Sequence, residues 1–235
     1  MVHRNALDEP SLALIEEIAR EEMHTPGNHV HRSFGSDGDG NSTTGHVVTW
    51  LTPAIHRREG LVRRLRELAS ESVAAGGWRI RDLGSLTVRC AELLEYGDAN
   101  STGLGWHWDV GSTITMLTML HPASDGSGEL QLSTNCTVHR VPLQRGDMAV
   151  YRSRHRHRVT TVTSPRRVLA LELWRGERTD RPHRPGAAAT LLQEPPLVAE
   201  SKKDNDQRQV DSQHGAAAAA GTPRDEPDAG YEVEL

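Results

Sequence analysis

Apolar residues recur along this chain at two different periods, and the change of period divides it. Between residues 8 and 23, Leu12, Ile15, Ile18 and Met23 fall on one side of a 3.6-residue spiral, which predicts an amphipathic helix with Asp8 or Ser11 as N-cap. A second helix is predicted over 58–75, where Leu61, Leu65, Leu68 and Val73 keep helical spacing with arginines between them. The intervening 25–45, rich in Gly, Ser, Asp and Asn, reads as a long loop, and His24, His29 and His31 in or beside it read as solvated.

Elsewhere the period is two. A first strand is predicted at 46–52, and from Leu86 onward short β-rich runs follow one another: 86–96, 112–120, 128–133, 138–144, 147–153, 157–163 and 166–174. The breakers GDANSTG, SDGSG, QRGD and TSPR separate most of them. Many short strands with frequent turns predict a mainly β sandwich, and a double-sheet jelly roll limits the exposed edges of such a set. The expected organisation is an N-terminal helix and loop over 1–45, a jelly-roll domain over 46–176 with helix 58–75 packed outside it, and a tail over 177–235. The tail has almost no large apolar residue to offset its chain entropy and reads as disordered.

Composition narrows the function. Of 235 residues 36% are hydrophobic and 4% aromatic, low for a chain folded throughout. The formal charge of −5 gives no argument for nucleic acid or an anionic membrane as partner. No apolar run approaches the roughly 18 to 20 residues of a membrane span, and the N-terminus lacks the apolar core of a signal peptide. An intracellular soluble location, cytoplasmic or nuclear, is expected. Cys90 and Cys136 make neither a zinc motif nor a disulfide framework and read as reduced thiols.

The chemistry is concentrated in GLGWHWDVGSTIT, where His107 and Asp109 stand two positions apart. In a strand such residues share a face, so an imidazole and a carboxylate reach one object. A further histidine would complete the two-histidine, one-carboxylate set of non-haem iron oxygenases, which leaves metal positions open. The run GDMAVYRSRHRHRV offers His155 and His157, and their shared parity does not choose between them. Arg152, Arg154, Arg156 and Arg158 share the other parity and would form a cationic stripe if the strand persisted.

These residues carry a resemblance. Residues 86–175 look like the Fe(II)- and 2-oxoglutarate-dependent dioxygenases, in particular the prolyl 4-hydroxylase-like branch. That branch reads His-x-Asp, then an aromatic and Ser, then His-x-Val-x-(Pro)-Val and an Arg ten residues after the His; Tyr151, Ser153, His157, Val159, Val162 and Arg167 fall at those places. SGELQLS is similar to the family's Gly-Gly-Glu-Leu strand. Thr161 stands where proline is usual and Pro165 where glycine is usual, which weakens the match to a particular subfamily.

The resemblance implies Fe(II) held by His107, Asp109 and His157, with 2-oxoglutarate and O2 as cosubstrates and ascorbate as reductant. It implies hydroxylation of a protein prolyl or other side chain, or of a small molecule, with release of succinate and CO2. Arg167 would grip the distal carboxylate of 2-oxoglutarate, its forked guanidinium suiting that task. Arg166, of opposite parity, is expected to face away as a solvated residue. Tyr96 would contact the cosubstrate, and Trp108 and His155 are candidate substrate contacts. The competing reading is a jelly roll that binds a metal without oxygen chemistry, since a fold does not fix a function.

Overall fold

The computed structural model describes residues 1–32, 45–80, 82–97, 103–135 and 137–178. Cys136 lies outside them, as does the tail from residue 179 onward.

The element order is β1 (Val2–His3), α1 (Glu9–Met23), β2 (His29–Arg32), β3 (His46–Trp50), α2 (Thr52–His56), α3 (Glu59–Ala75) and β4 (Thr87–Tyr96). There follow β5 (Leu104–His107), β6 (Ile114–His121), β7 (Leu130–Thr134), β8 (Thr137–Val141), β9 (Met148–Arg152), β10 (Arg156–Val159) and β11 (Arg166–Trp174). The strands form a seven-stranded sheet, β1-β9-β6-β11-β4-β3-β2, and a four-stranded sheet, β5-β10-β7-β8. Every strand pairing among the described residues is antiparallel, and the long interleaved connections make the jelly roll that the period-two runs predict.

Both long helices form where periodicity places them. Asp8 caps α1 by accepting a hydrogen bond from the Ser11 backbone N–H at 3.0 Å, with Pro10 in the first turn. Leu12, Ile15 and Ile18 of α1, with Leu61, Leu65 and Leu68 of α3, bury against one face of the large sheet together with Leu93, Leu169 and Leu171. The other face of that sheet and the inner face of the small one enclose a second core that includes Val48, Trp50, Leu94, Leu130, Val159 and Val168. The chamber between the sheets is where a site can be built.

Three elements depart from the sequence reading. His29 and His31 belong to β2, which pairs with β3, rather than to a loop. Alternation over four residues between Asn28 and a glycine-rich run is too short to stand out from its surroundings. The run after Trp50 turns into α2, a five-residue helix too short for its periodicity to register. β1 is two residues long and extends the sheet beside β9. No described helix is long and apolar enough to cross a membrane.

Candidate metal centre

Two strands of the small sheet bring two histidines face to face. His107 ends β5 and stands directly across the ladder from His157 in β10, with ring centroids 4.1 Å apart. Each Nδ1 lies beside a backbone carbonyl, His107 with Gly105 at 2.8 Å and His157 with His155 at 3.1 Å. A carbonyl only accepts, so Nδ1 carries the proton in each ring and Nε2 keeps its lone pair for a ligand. Desolvation, and then the neighbouring His107, depress His157 to about 4, so its ring is neutral near physiological pH.

Asp109 arrives by a different route from the one the spacing suggests. β5 ends at His107, so the two residues do not share a strand face; a turn through Asp109 and Ser112 carries the carboxylate back over the histidines. The Asp109 N–H donates to the Ser153 carbonyl at 3.0 Å, and the Thr115 hydroxyl, also within 2.9 Å of Ser153 Oγ, donates to Asp109 Oδ2 at 2.5 Å. Asp109 Oδ1 then lies 3.9 Å from His107 Nε2, and Oδ2 lies 3.7 Å from His157 Nε2. The three ligand atoms lie within 4.8 Å of one another, and the donor set of two imidazoles and one carboxylate suits a first-row divalent metal such as Fe(II).

A buried network holds that turn. Arg89 Nη1 donates to the Val110 carbonyl at 2.6 Å, to Ser112 Oγ at 2.7 Å and to Glu172 Oε2 at 3.2 Å, while Ser112 Oγ donates to Glu172 at 2.5 Å. Gly111, at φ +85°, lies against the Arg89 guanidinium, where an added Cβ would come within 3.3 Å of Nη1. Burial, with the field of Asp109, pushes the Glu172 carboxyl up to about 7.

The arginine expected to face the chamber is the wrong one of the pair. On β11, Arg166, Val168, Ala170 and Glu172 share the chamber face, whereas Arg167 shares the helix-side face with Leu169, Leu171 and Leu173. Arg167 is half-buried at its end of the strand, with Nε 3.2 Å from Glu95 Oε1. Arg166 is 1% exposed, and none of its three guanidinium nitrogens has a hydrogen-bond partner among the described residues. Burial lowers its basicity from the usual arginine value. The signal was present in RRVLALELW: the leucines at 169, 171 and 173 fill the core under the helices, so the small and polar alternates must face the chamber. Gly128 makes room for this side chain, since a Cβ there would stand 2.8 Å from Arg166 Cδ.

Tyr96, at the end of β4, is directly across from Arg166, whose Cζ lies 5.3 Å from the phenol ring centroid. Its hydroxyl is buried without a hydrogen-bond partner among the described residues, and desolvation pushes its acidity down. Tyr151 also has a buried hydroxyl without a partner, and its ring is 5.0 Å from that of His157.

Trp108 lies between His107 and Asp109 and is 44% exposed, while His155 is half-buried in the turn between β9 and β10. Trp106 is covered by Arg158, whose Cζ is 4.8 Å from an indole centroid. The arginine stripe does not form, because the chain turns at Arg154 and His155. Arg152 belongs to β9 and lies against Trp78, whereas Arg156 and Arg158 belong to β10 in the other sheet. Besides Arg166, sequence reasoning missed Arg89, Glu92 and Glu172, although polar residues on the inward parity of otherwise apolar strands were a readable sign.

No family model and no curated protein matches this chain. Solved structures do. A 2OG-Fe(II) oxygenase family oxidoreductase from Burkholderia pseudomallei superposes with TM-score 0.54 at 17% identity, covering 77% of this chain and 86% of that one. The epimerase SnoN of nogalamycin biosynthesis, in complex with Fe3+, alpha ketoglutarate and nogalamycin RO, gives TM-score 0.54 at 17% identity over 85% and 87%. A prolyl-4-hydroxylase from Pseudomonas putida gives 0.51 at 16% identity over 75% and 92%. The chain therefore has the jelly-roll fold of the 2OG-Fe(II) oxygenases, with a His-Asp-His group in its chamber.

Proposed function

We propose that this chain is an Fe(II)- and 2-oxoglutarate-dependent dioxygenase. The observation that carries the reading is Arg166: a buried guanidinium with no hydrogen-bond partner among the described residues, facing the same chamber as His107, Asp109 and His157. A buried cation without a partner is costly, and a dicarboxylate cosubstrate supplies the missing one. A purely structural metal site needs no such anchor, so the arginine favours catalysis over simple metal binding.

In this reading His107, Asp109 and His157 hold Fe(II), and the bound metal supplies activation of O2 coupled to decarboxylation of 2-oxoglutarate to succinate and CO2. Arg166 and the Tyr96 hydroxyl bind the far carboxylate of the cosubstrate, the role expected at first of Arg167. The two Nδ1–carbonyl bonds fix the imidazole planes, and the Thr115 hydroxyl fixes the carboxylate. Trp108 and His155, at the rim, contact substrate. Hydroxylation of a protein prolyl or other side chain is the reaction we favour, supported by likeness to a prolyl-4-hydroxylase; a small-molecule substrate is the second reading, favoured by likeness to the nogalamycin epimerase. Ascorbate serves as reductant.

The test is an anaerobic titration of the Fe(II)-loaded protein with 2-oxoglutarate, following the weak visible charge-transfer absorption that chelation of a keto acid to Fe(II) produces. The band is expected in the native protein and is expected to be lost in His157→Ala. A folded, iron-loaded protein without the band would overturn the reading.

A further inference from the structure

Of the carboxylates on β4 and β11, two have a cation. Glu172 is held by Arg89, and Glu95, on the opposite face, lies 3.2 Å from Arg167. Glu92 has none within ion-pair distance among the described residues. It is 9% exposed on the chamber face of β4, in line with Cys90, Leu94 and Tyr96, and its one hydrogen-bond donor among the described residues is the Cys90 thiol at 2.9 Å. A thiol is a weak donor, and an ionised carboxylate has about four acceptor sites. Arg32, stacked on Trp50 with Cζ 4.5 Å from an indole centroid, acts on Glu92 through its field.

The sheet beside Glu92 is not sealed from solvent. The cross-strand neighbours of Glu92 are Trp50 on β3 and Ala170 on β11. Ala170 stays partly exposed although it lies on an interior strand of the seven-stranded sheet, so the chamber is not filled over it. The 2-oxoglutarate anchor is at the other end of the strand, since Tyr96 is four residues along, about 13 Å at the usual rise. Burial pushes the Glu92 carboxyl above its ordinary range. A hydrogen-bond-donating group placed beside it would favour its ionised form. A buried carboxylate without an ionic partner among the described residues is costly to keep ionised and points to a ligand.

We propose that Glu92 is a specificity-determining residue whose carboxylate receives a hydrogen-bond-donating group of the substrate, an amine, amide or hydroxyl, beside the Trp50 indole and over Ala170. This rests on the dioxygenase reading for the identity of the chamber. The substrate is then a polar, donor-bearing molecule or side chain rather than a hydrocarbon surface or a polyanion.

The test uses three probes of matched size, benzylamine, benzyl alcohol and toluene. Binding is followed by tryptophan fluorescence, with the full-length protein metal-free and again loaded with Co(II) and 2-oxoglutarate. In both states the two donors are expected to bind at least about tenfold more tightly than toluene, the scale of one hydrogen bond to a charged group. In Glu92→Leu the preference is expected to vanish while 2-oxoglutarate binding is unchanged. Glu92→Gln should retain benzyl alcohol and weaken benzylamine. Because removing an unpaired buried carboxylate does not threaten the fold, both variants should melt no lower than the native protein. Equal preference in the native protein and Glu92→Leu, including preference arising from an amine bound directly to the metal, would overturn the proposal. A native protein that selects donors but fails to bind 2-oxoglutarate would overturn the dioxygenase reading and leave the Glu92 site standing.

Discussion

Replacing Arg166 by methionine should move stability and cosubstrate affinity in opposite directions. In the metal-free protein the guanidinium is buried with no hydrogen-bond partner among the described residues, and its removal relieves a desolvation cost of about 1–4 kcal/mol. For a folded unit of this size each kcal/mol shifts Tm by about 2–4 °C, so Arg166→Met is expected to melt roughly 5 °C higher than the native protein. The same change deletes both arms of a bidentate grip on a carboxylate. At about 1.5–3 kcal/mol for each charge-assisted bond, 2-oxoglutarate should bind about 10² to 10⁴-fold more weakly. Arg167→Met is the control: it removes a partly exposed pair with Glu95 worth about 1 kcal/mol or less and should leave 2-oxoglutarate affinity within about threefold. Differential scanning calorimetry of the metal-free proteins and anaerobic titration of the Fe(II)-loaded ones read the two effects separately. An Arg166→Met protein that binds 2-oxoglutarate normally while Arg167→Met does not would refute the assignment of faces on β11.

Arg89→Gln should cost about 3 kcal/mol by stranding Glu172 and weaken Mn(II) binding about tenfold by releasing the Asp109 turn; the double variant Arg89→Gln/Glu172→Gln should regain stability but not metal affinity, as measured by paramagnetic resonance of free Mn(II). His46 is held down to about 3, mainly by burial and then by Arg32, against an ordinary value of 6.5. Above pH 6.5 its ring is neutral in folded and unfolded chains alike; below it only the unfolded chain takes up the proton, so stability is lost as pH falls towards 3. Relative to His46→Phe, the native protein should lose about 2 kcal/mol between pH 7 and pH 5 in denaturant titrations. Gly97→Ala forces a φ of +100° on a side chain whose Cβ would stand 2.7 Å from Pro165 N, and a loss of about 2–4 kcal/mol is expected in the same assay.

Much of this was legible along the chain because the two periods are clean. The leucines of α1 and α3 are spaced for one buried face, and each strand of the chamber has turn residues at its ends. The candidate metal group was legible for a different reason: His-x-Asp is recognisable by residue type and spacing and the family resemblance singled out His157 from His155, although the geometry that unites them is a turn rather than a shared strand face. What was not legible depended on pairing between distant segments. Choosing between Arg166 and Arg167 requires knowing which face of β11 lies under the helices, and that is fixed by Leu93 and by α1 and α3, far away in sequence. Arg89 reaches Val110 and Glu172 across 21 and 83 positions, a relation that no local pattern carries.

His107 and His157 belong to the small sheet, whereas Asp109 is tied through Thr115 and Ser153 to β6 and the end of β9 in the large one. A divalent ion at this place is a rivet through both leaves of the sandwich. By mass action it adds about 2.7 kcal/mol to the folded state at a hundredfold excess over its dissociation constant. Chelation should therefore unclasp the mouth of the sandwich while the helix-covered back stays closed, with amide hydrogen exchange quickening at β5 and β10 and holding steady in α1 and α3.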